Sequence, residues 1–250
     1  SNKYTWWPPS WSYSDRKEEY GAPITKYSIA SNASTNALNN PIDNFINELK
    51  TSLVRNNLSI KYFIKPVYND FSIDFVSTIK SVNSAPLYIL LNLVNSESHN
   101  YTAEVVFRHS LNNWSHDFPN VKYTKWLKDQ NFDSDDFIFA DASGLSRENR
   151  VTTYGLSQFL RRMQLSRYSD YYFSSFSILG VRGSLKNVKA PINLKGRILA
   201  KSGRLSNVRS ISGIILGKDK IFSIIVNNKE NSTKNIINIL SIVDNTNYCT

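Results

Sequence analysis

Cysteine is nearly absent from this 250-residue chain. The single thiol, Cys249, stands beside the last residue with no second cysteine to join, so a disulfide-stapled fold is excluded and the redox compartment is not readable. Histidine is almost as scarce. His99, His109 and His116 are the full set, and without cysteine partners or metal-ligand spacing they argue against a zinc site. No metal and no other cofactor is expected. The chain also lacks an apolar run long enough to cross a membrane, and it opens without a secretory leader. Acidic side chains are outnumbered by basic ones, 20 to 30, for a formal net charge of +10. What is present is ordinary globular material, 41% hydrophobic and 20% charged, rather than a disordered composition. The length suits one domain, or one with a small appendage.

The positive charge is uneven. From Arg182 to Lys220 the basic residues Arg182, Lys186, Lys189, Lys195, Arg197, Lys201, Arg204, Arg209, Lys218 and Lys220 face only one acid, Asp219. Such a concentration draws an anionic substrate, for example a peptide with a free terminal carboxylate. The plainer alternative is a solvated face of alternating strands. No known nucleic-acid module is recognisable, and nucleic acid is not expected as a partner.

Within that basic region, Gly196 to Leu205 carries an apolar run into Lys201-Ser202-Gly203, and Ile211 to Leu216 follows as a second apolar run. This predicts two adjacent strands with Lys201 at the end of the first. A strand holds a side chain rigidly, a serine beside it supplies a hydroxyl, and a glycine admits close approach. Lys-Ser-Gly alone is a common tripeptide, so its neighbours decide. Ser98-His99-Asn100 gives Ser-x-Asn after an apolar helical segment. Asp141-Ala142-Ser143-Gly144-Leu145-Ser146-Arg147-Glu148-Asn149 comes next, then Leu179-Gly180-Val181-Arg182-Gly183-Ser184-Leu185. Tyr20-Gly21-Ala22-Pro23 lies further upstream.

In order and spacing over roughly residues 80–228 these blocks resemble the class C penicillin-binding proteins, the penicillin-binding protein 4 type of D-alanyl-D-alanine carboxypeptidase and endopeptidase. The resemblance implies an α+β fold with an antiparallel sheet flanked by helices. It implies an acyl-enzyme route on peptidoglycan stem peptides ending in D-Ala-D-Ala, β-lactams as inhibitors, and a place in the bacterial periplasm or on the outer face of the envelope. Ser98, Asn100 and Lys201 would be catalytic: Ser98 relays a proton to the leaving amine, Asn100 holds the substrate amide, and Lys201 supplies positive potential. Ser202, Gly203 and Arg204 would bind substrate, with the Arg204 N–H as one oxyanion-hole donor. Asp141, Ser143 and Gly144 would brace the cleft.

The family's first signature, Ser-x-x-Lys, holds the nucleophile. Neither Ser14-Asp15-Arg16-Lys17, in a polar Trp-rich segment, nor Ser77-Thr78-Ile79-Lys80, in a β-branched run, offers the helical turn that sets a desolvated lysine beside a serine. The chain therefore reads as the C-terminal portion of such a domain, 37–250, preceded by an aromatic-rich irregular segment, 1–36, from the end of an inserted region. It departs from the family pattern at Ser202 for Thr, Arg204 for a small hydroxyl residue, Ala142 for Gly and Arg182 for an acid. A non-catalytic peptidoglycan-binding relative thus stays open.

Periodicity fills in the remainder. Asn40 and Pro41 open a helix with apolar positions Ile42, Phe45, Ile46, Leu49 and Leu53. Ile60–Val67 and Ile73–Lys80 read as strands. Ser84 is expected to cap the helix that leads to Ser98, and Ser98 and Asn100 could themselves cap the next one. Helices are expected around Tyr123 to Leu127 and from Thr152 or Thr153 onward. Phe137–Ala140 and Ile221–Val226 read as strands, and a last helix runs through Ile236 and Leu240. Trp6, Trp7, Trp11, Tyr13 and Tyr20 are expected to pack onto the core rather than stack on sugars or bases.

Overall fold

The computed structural model describes residues 6–33, 40–58, 81–114, 120–227 and 232–246. The two strands expected at 60–67 and 73–80, together with Ser77, His116 and Cys249, lie outside the described residues.

The sheet that carries Lys201 has four antiparallel strands in the order β3-β4-β5-β6: β3 (Ser177–Ile178), β4 (Ile198–Leu205), β5 (Val208–Ile215) and β6 (Lys220–Val226). Their apolar runs are nearly continuous because both faces are covered. Ile198, Ala200, Ile211, Ile215, Phe222 and Ile224 pack on one face with Ile236, Ile237 and Leu240 of the last helix, α7 (Ser232–Asn245). Leu199, Ile214 and Ile221 pack on the other against Leu160 of α5 (Thr153–Gln164) and Phe173 and Phe176 in and beside α6 (Ser169–Ser174). Burial of this kind stabilises by about 25 cal/mol per Å² of apolar surface, and the two layers account for most of the core.

Lys201 sits in mid-strand, not at the strand end that its sequence suggests. It pairs with Ser212 of β5, and β4 continues to Leu205. The polar Ser-Gly-Arg continuation stays extended because eight consecutive pairs with β5 hold it there, so tertiary pairing overrides weak local propensity. On its other edge, β4 pairs with β3 only at Leu199 and Ala200.

Upstream, α1 (Pro41–Arg55) begins as expected: Asn40 accepts from the Ile42 and Asp43 N–H groups, and Pro41 takes the first position. α2 (Leu87–Asn95) starts from Pro86, and Ser84 does not cap it; its hydroxyl donates to the Ala85 carbonyl at 3.1 Å. The pre-proline geometry of the segment leaves no N-cap position at Ser84. α3 (Asn100–Ser110) and α4 (Asn120–Asp129) follow. A short ribbon of β1 (Phe137–Ile138) and β2 (Arg150–Val151) then closes the base of an intervening turn. Thr152 caps α5 by accepting from the Gly155 N–H at 2.9 Å.

The N-terminal segment packs as its aromatics suggest. Trp11 is 2% exposed and joins Ile24 and Leu145 in a cluster that includes Tyr101 and Leu205. Tyr13 and Tyr20, by contrast, are exposed.

Candidate active site

α2 ends in a tight corner. The Ser96 N–H donates to the Asn92 carbonyl at 2.9 Å and the His99 N–H to Leu93 at 3.0 Å, while Ser98 takes a left-handed conformation with φ 58°. That region is unfavourable for a serine by about 1 kcal/mol or more, and such residues gather at sites where geometry outweighs local comfort. The cap of α3 is His99, not Ser98 or Asn100. Its Nδ1 accepts from the Thr102 N–H at 3.4 Å and lies 2.6 Å from the Thr102 hydroxyl. Burial pushes the His99 imidazole below its ordinary value, which keeps Nδ1 free to accept. The corner therefore presents Ser98 while the residue after it does the capping.

Lys201 reaches that corner. On β4 it follows Leu199 on the same face, and its Nζ donates to Ser98 Oγ at 2.8 Å and to the Ser202 carbonyl at 2.5 Å. The two motifs are 103 residues apart in sequence. Burial lowers the Lys201 pKa to about 8, because the charged form loses hydration that two hydrogen bonds replace only in part. Ser202 turns the other way, its Oγ 2.7 Å from Ser184 Oγ. Gly203 lies beside Ser210, whose Oγ would stand 2.4 Å from an added Cβ. Arg204 is exposed opposite Arg209. Among the described residues, no strand pairs with the β3-side edge of β4 beyond Ala200.

Asn100 opens α3, and its Nδ2 donates to the Tyr20 carbonyl at 3.0 Å. The Tyr20-Gly21-Ala22-Pro23 segment is thereby tied to the Ser98 corner. Asp141 is 1% exposed and organises the turn after β1, accepting from Trp11 Nε1, the Gly144 N–H and Asn149 Nδ2 at 2.8 Å each and from the Ser146 N–H at 2.6 Å. Ser143 Oγ adds a contact at 3.3 Å, and Gly144 has φ 81°, which a side chain would strain.

Two participants are not apparent from the sequence. Glu104, fully buried on α3, accepts from the Ala142 and Ser143 N–H groups at 2.9 Å through Oε1 and pairs with Arg108 through Oε2. Burial pushes its carboxyl upward; Arg108 opposes this, and nearby Asp141 adds to it. An acid spaced four residues before an arginine was the only available sign, and it usually marks a surface pair. Ser184 is the second: it joins Ser202 to the buried Ser177, at 2.7 and 3.0 Å.

The D-Ala-D-Ala carboxypeptidase 3 (S13) family model matches residues 37–246. The chain belongs to that family. Structural comparison agrees on the fold. Penicillin binding protein 4 from Haemophilus influenzae superposes with a TM-score of 0.55 at 21% identity, over 63% of this chain and 40% of that one. In its complex with a β-lactam the same protein gives a TM-score of 0.65 at 18% identity, over 85% and 53%. A predatory endopeptidase from Bdellovibrio bacteriovorus, in complex with an immunity protein, gives 0.58 at 15% identity, over 92% and 65%. The chain thus spans less than two thirds of the length of each of these structures. No match was found among curated protein sequences. As in these relatives, the S13 chain is α+β, with an antiparallel sheet between helical layers.

Proposed function

We propose that this chain supplies the substrate cleft of a serine-type D-alanyl-D-alanine carboxypeptidase or endopeptidase that acts on peptidoglycan stem peptides through an acyl-enzyme. The observation that carries the reading is the Lys201–Ser98 hydrogen bond, which joins the two motifs within one site. Among the described residues no strand pairs with the edge of β4 beside it, which suits an extended peptide that would add main-chain hydrogen bonds there.

The chemistry follows from those positions. A serine hydroxyl attacks the carbonyl carbon of the penultimate D-Ala, and the tetrahedral intermediate collapses by breaking the peptide C–N bond. The attacking hydroxyl gives its proton to the lysine of its own Ser-x-x-Lys motif. Lys201 donates to Ser98 Oγ, so the Ser98 proton is free to pass to the departing amine, and Ser98 is reprotonated from that motif lysine. Water then cleaves the ester. Asn100, whose Nδ2 has one proton committed to Tyr20, keeps a second N–H and its carbonyl oxygen for the substrate amide and the nucleophile's lysine. Ser202 and the Lys201 charge take the terminal carboxylate, Arg204 adds charge at the rim, and Gly203 keeps the strand surface open. Asp141, Ser143 and Gly144 brace the turn. The division into an N-terminal segment 1–36 and the domain portion 37–250 belongs to the same proposal.

On this reading the nucleophile lies in a Ser-x-x-Lys segment outside the present sequence. Ser14 and Lys17 sit on a short 3-10 turn, Ser14 Oγ against Ser12 and Lys17 over the Tyr13 ring at 4.4 Å. β-Lactams would mimic the peptide. One solved relative holds a β-lactam and another is acylated by penicillin G, which supports that expectation, and a site of action outside the cytoplasmic membrane, in the periplasm or on the outer face, goes with the substrate. The exposed Arg204 favours one second reading, a peptidoglycan-binding relative that does not cleave. Calorimetric titration of the chain with acetyl-D-Ala-D-Ala tests the cleft in both readings. Wild type should bind, and Lys201→Met should weaken binding about tenfold or more, as for a lost hydrogen bond to charge. Equal binding by both would remove the site from this cleft.

A further inference from the structure

Behind the Lys-Ser-Gly strand a file of hydroxyls leads away from Ser202, and its two inner members, Ser184 and Ser177, have no part in the proposed chemistry. Ser202 Oγ lies 2.7 Å from Ser184 Oγ, Ser184 Oγ 3.0 Å from Ser177 Oγ, and Ser177 Oγ 2.9 Å from the carbonyl oxygen of Ser96, two residues before Ser98. Ser177 is fully buried, so water does not compete for it. Gly183 makes the approach possible: it has φ 70°, and a Cβ there would stand 2.3 Å from Ser96 Oγ and 2.7 Å from Ser177 Oγ.

Proton counting fixes the direction of this file. A carbonyl oxygen only accepts, so the Ser96 contact takes the one proton of the Ser177 hydroxyl. Ser177 must then accept from Ser184, and Ser184 must accept from Ser202. The result is a Ser202 that donates inward and turns lone pairs to the cleft. A bound carboxylate demands the opposite, a Ser202 that donates outward. Reversal needs only three hydroxyl rotations: Ser184 then donates to Ser202, and Ser177 to Ser184. The Ser96 carbonyl keeps its other donor, the Ser184 N–H at 2.8 Å. No proton leaves its oxygen and no charge is created.

We propose that Ser184 is a positioning residue for carboxylate recognition: with Ser177 it forms a hydroxyl relay that reverses when a carboxylate binds at Ser202, linking the Lys201 strand to the Ser98 corner. The inference rests on the cleft assignment above. A hydroxyl that itself accepts a hydrogen bond donates more strongly, so Ser184 strengthens the Ser202 contact without touching the ligand.

Two measurements separate this from a purely structural role. The first is the affinity of wild type, Ser184→Ala and Ser184→Thr for acetyl-D-Ala-D-Ala and for its C-terminal amide. The alanine variant should lose about threefold to tenfold for the acid and nothing for the amide, and threonine, which keeps the hydroxyl, should restore it. The second needs no ligand: a thermal-unfolding cycle of Ser184→Ala, Ser202→Ala and the double variant, in which the shifts should not add. Additive shifts, equal losses for acid and amide, or unchanged acid affinity in the alanine variant would each overturn the relay. A wild type that does not distinguish acid from amide would remove the cleft assignment and the relay together.

Discussion

Lys201 is held where its charge is expensive. Burial lowers its pKa from the ordinary 10.5 to about 8, so the folded chain binds this proton less tightly than the unfolded chain does. The unfolded state therefore carries more protons between those two values, and stability rises with pH across that window. Below pH 8 the cost is present in full. Lys201→Met should then raise the unfolding temperature at pH 7, by the equivalent of about 1–2 kcal/mol once solvent contact is allowed for, while it weakens acetyl-D-Ala-D-Ala binding. Differential scanning calorimetry beside the binding titration checks both; a variant that is less stable at pH 7 contradicts the burial argument. The same pKa sets the ligand profile. Affinity for the acid should fall as pH passes upward through about 8, and affinity for the amide should stay flat. Lys201, Ser202 and Ser98 were all legible as motif residues, because chemistry restricts residue type. Lys201's mid-strand place was not, since only pairing with β5 keeps Ser202 to Leu205 extended.

The corner between α2 and α3 shows what an element contributes beyond its motif. His99 caps α3 as a neutral ring, and its pKa is lowered by burial. The unfolded imidazole takes a proton more readily, so stability is retained above its ordinary 6.5 and is lost as pH falls below it. His99→Asn keeps a cap acceptor and should flatten the pH dependence of unfolding between pH 7 and 5; an unchanged slope would place that dependence elsewhere. Glu104 is the opposite case, a buried acid tied to two backbone N–H groups and to Arg108. Glu104→Ala leaves Arg108 buried without its partner and should cost about 3–5 kcal/mol in denaturant unfolding. Neither His99 as cap nor Glu104 as brace is visible in one dimension. Capping preference points to Ser98 and Asn100, and Glu104 resembles any surface acid until the turn at 142–143 folds over it.

Across the whole molecule, part of the excess of positive charge proves to be structural. Arg197 and Lys218 pair with Asp244, which is 3% exposed. Lys220 donates to the carbonyls of Val243, Asp244 and Thr246 at the end of α7, where positive charge suits the helix dipole. Burial pushes the Asp244 carboxyl up, but hydrogen bonds from Lys218, Arg197 and Asn193 and the Arg197 charge outweigh it and hold it below the usual carboxylate range. A linear count of basic residues could not divide structural from steering charge, because the dividing partner lies beyond the last strand. The N-terminal segment is also integral: Trp11 reaches across 130 residues to Asp141. Trp11→Phe should cost about 1–3 kcal/mol, as for a lost bond to a buried carboxylate, and the loss should appear in one cooperative transition; a separate early transition would mean that the segment folds apart from the sheet. The layered α+β architecture was legible from the apolar periodicity of 196–226 and the family blocks, since both covered faces write themselves into continuous strands.

The most direct test of the central claim is the intact mass of the complete reading-frame product after incubation with benzylpenicillin. One covalent adduct, on the serine of a Ser-x-x-Lys segment outside these 250 residues and lost in Lys201→Met, is the predicted result. No adduct, or an adduct on a serine within this chain, would contradict it.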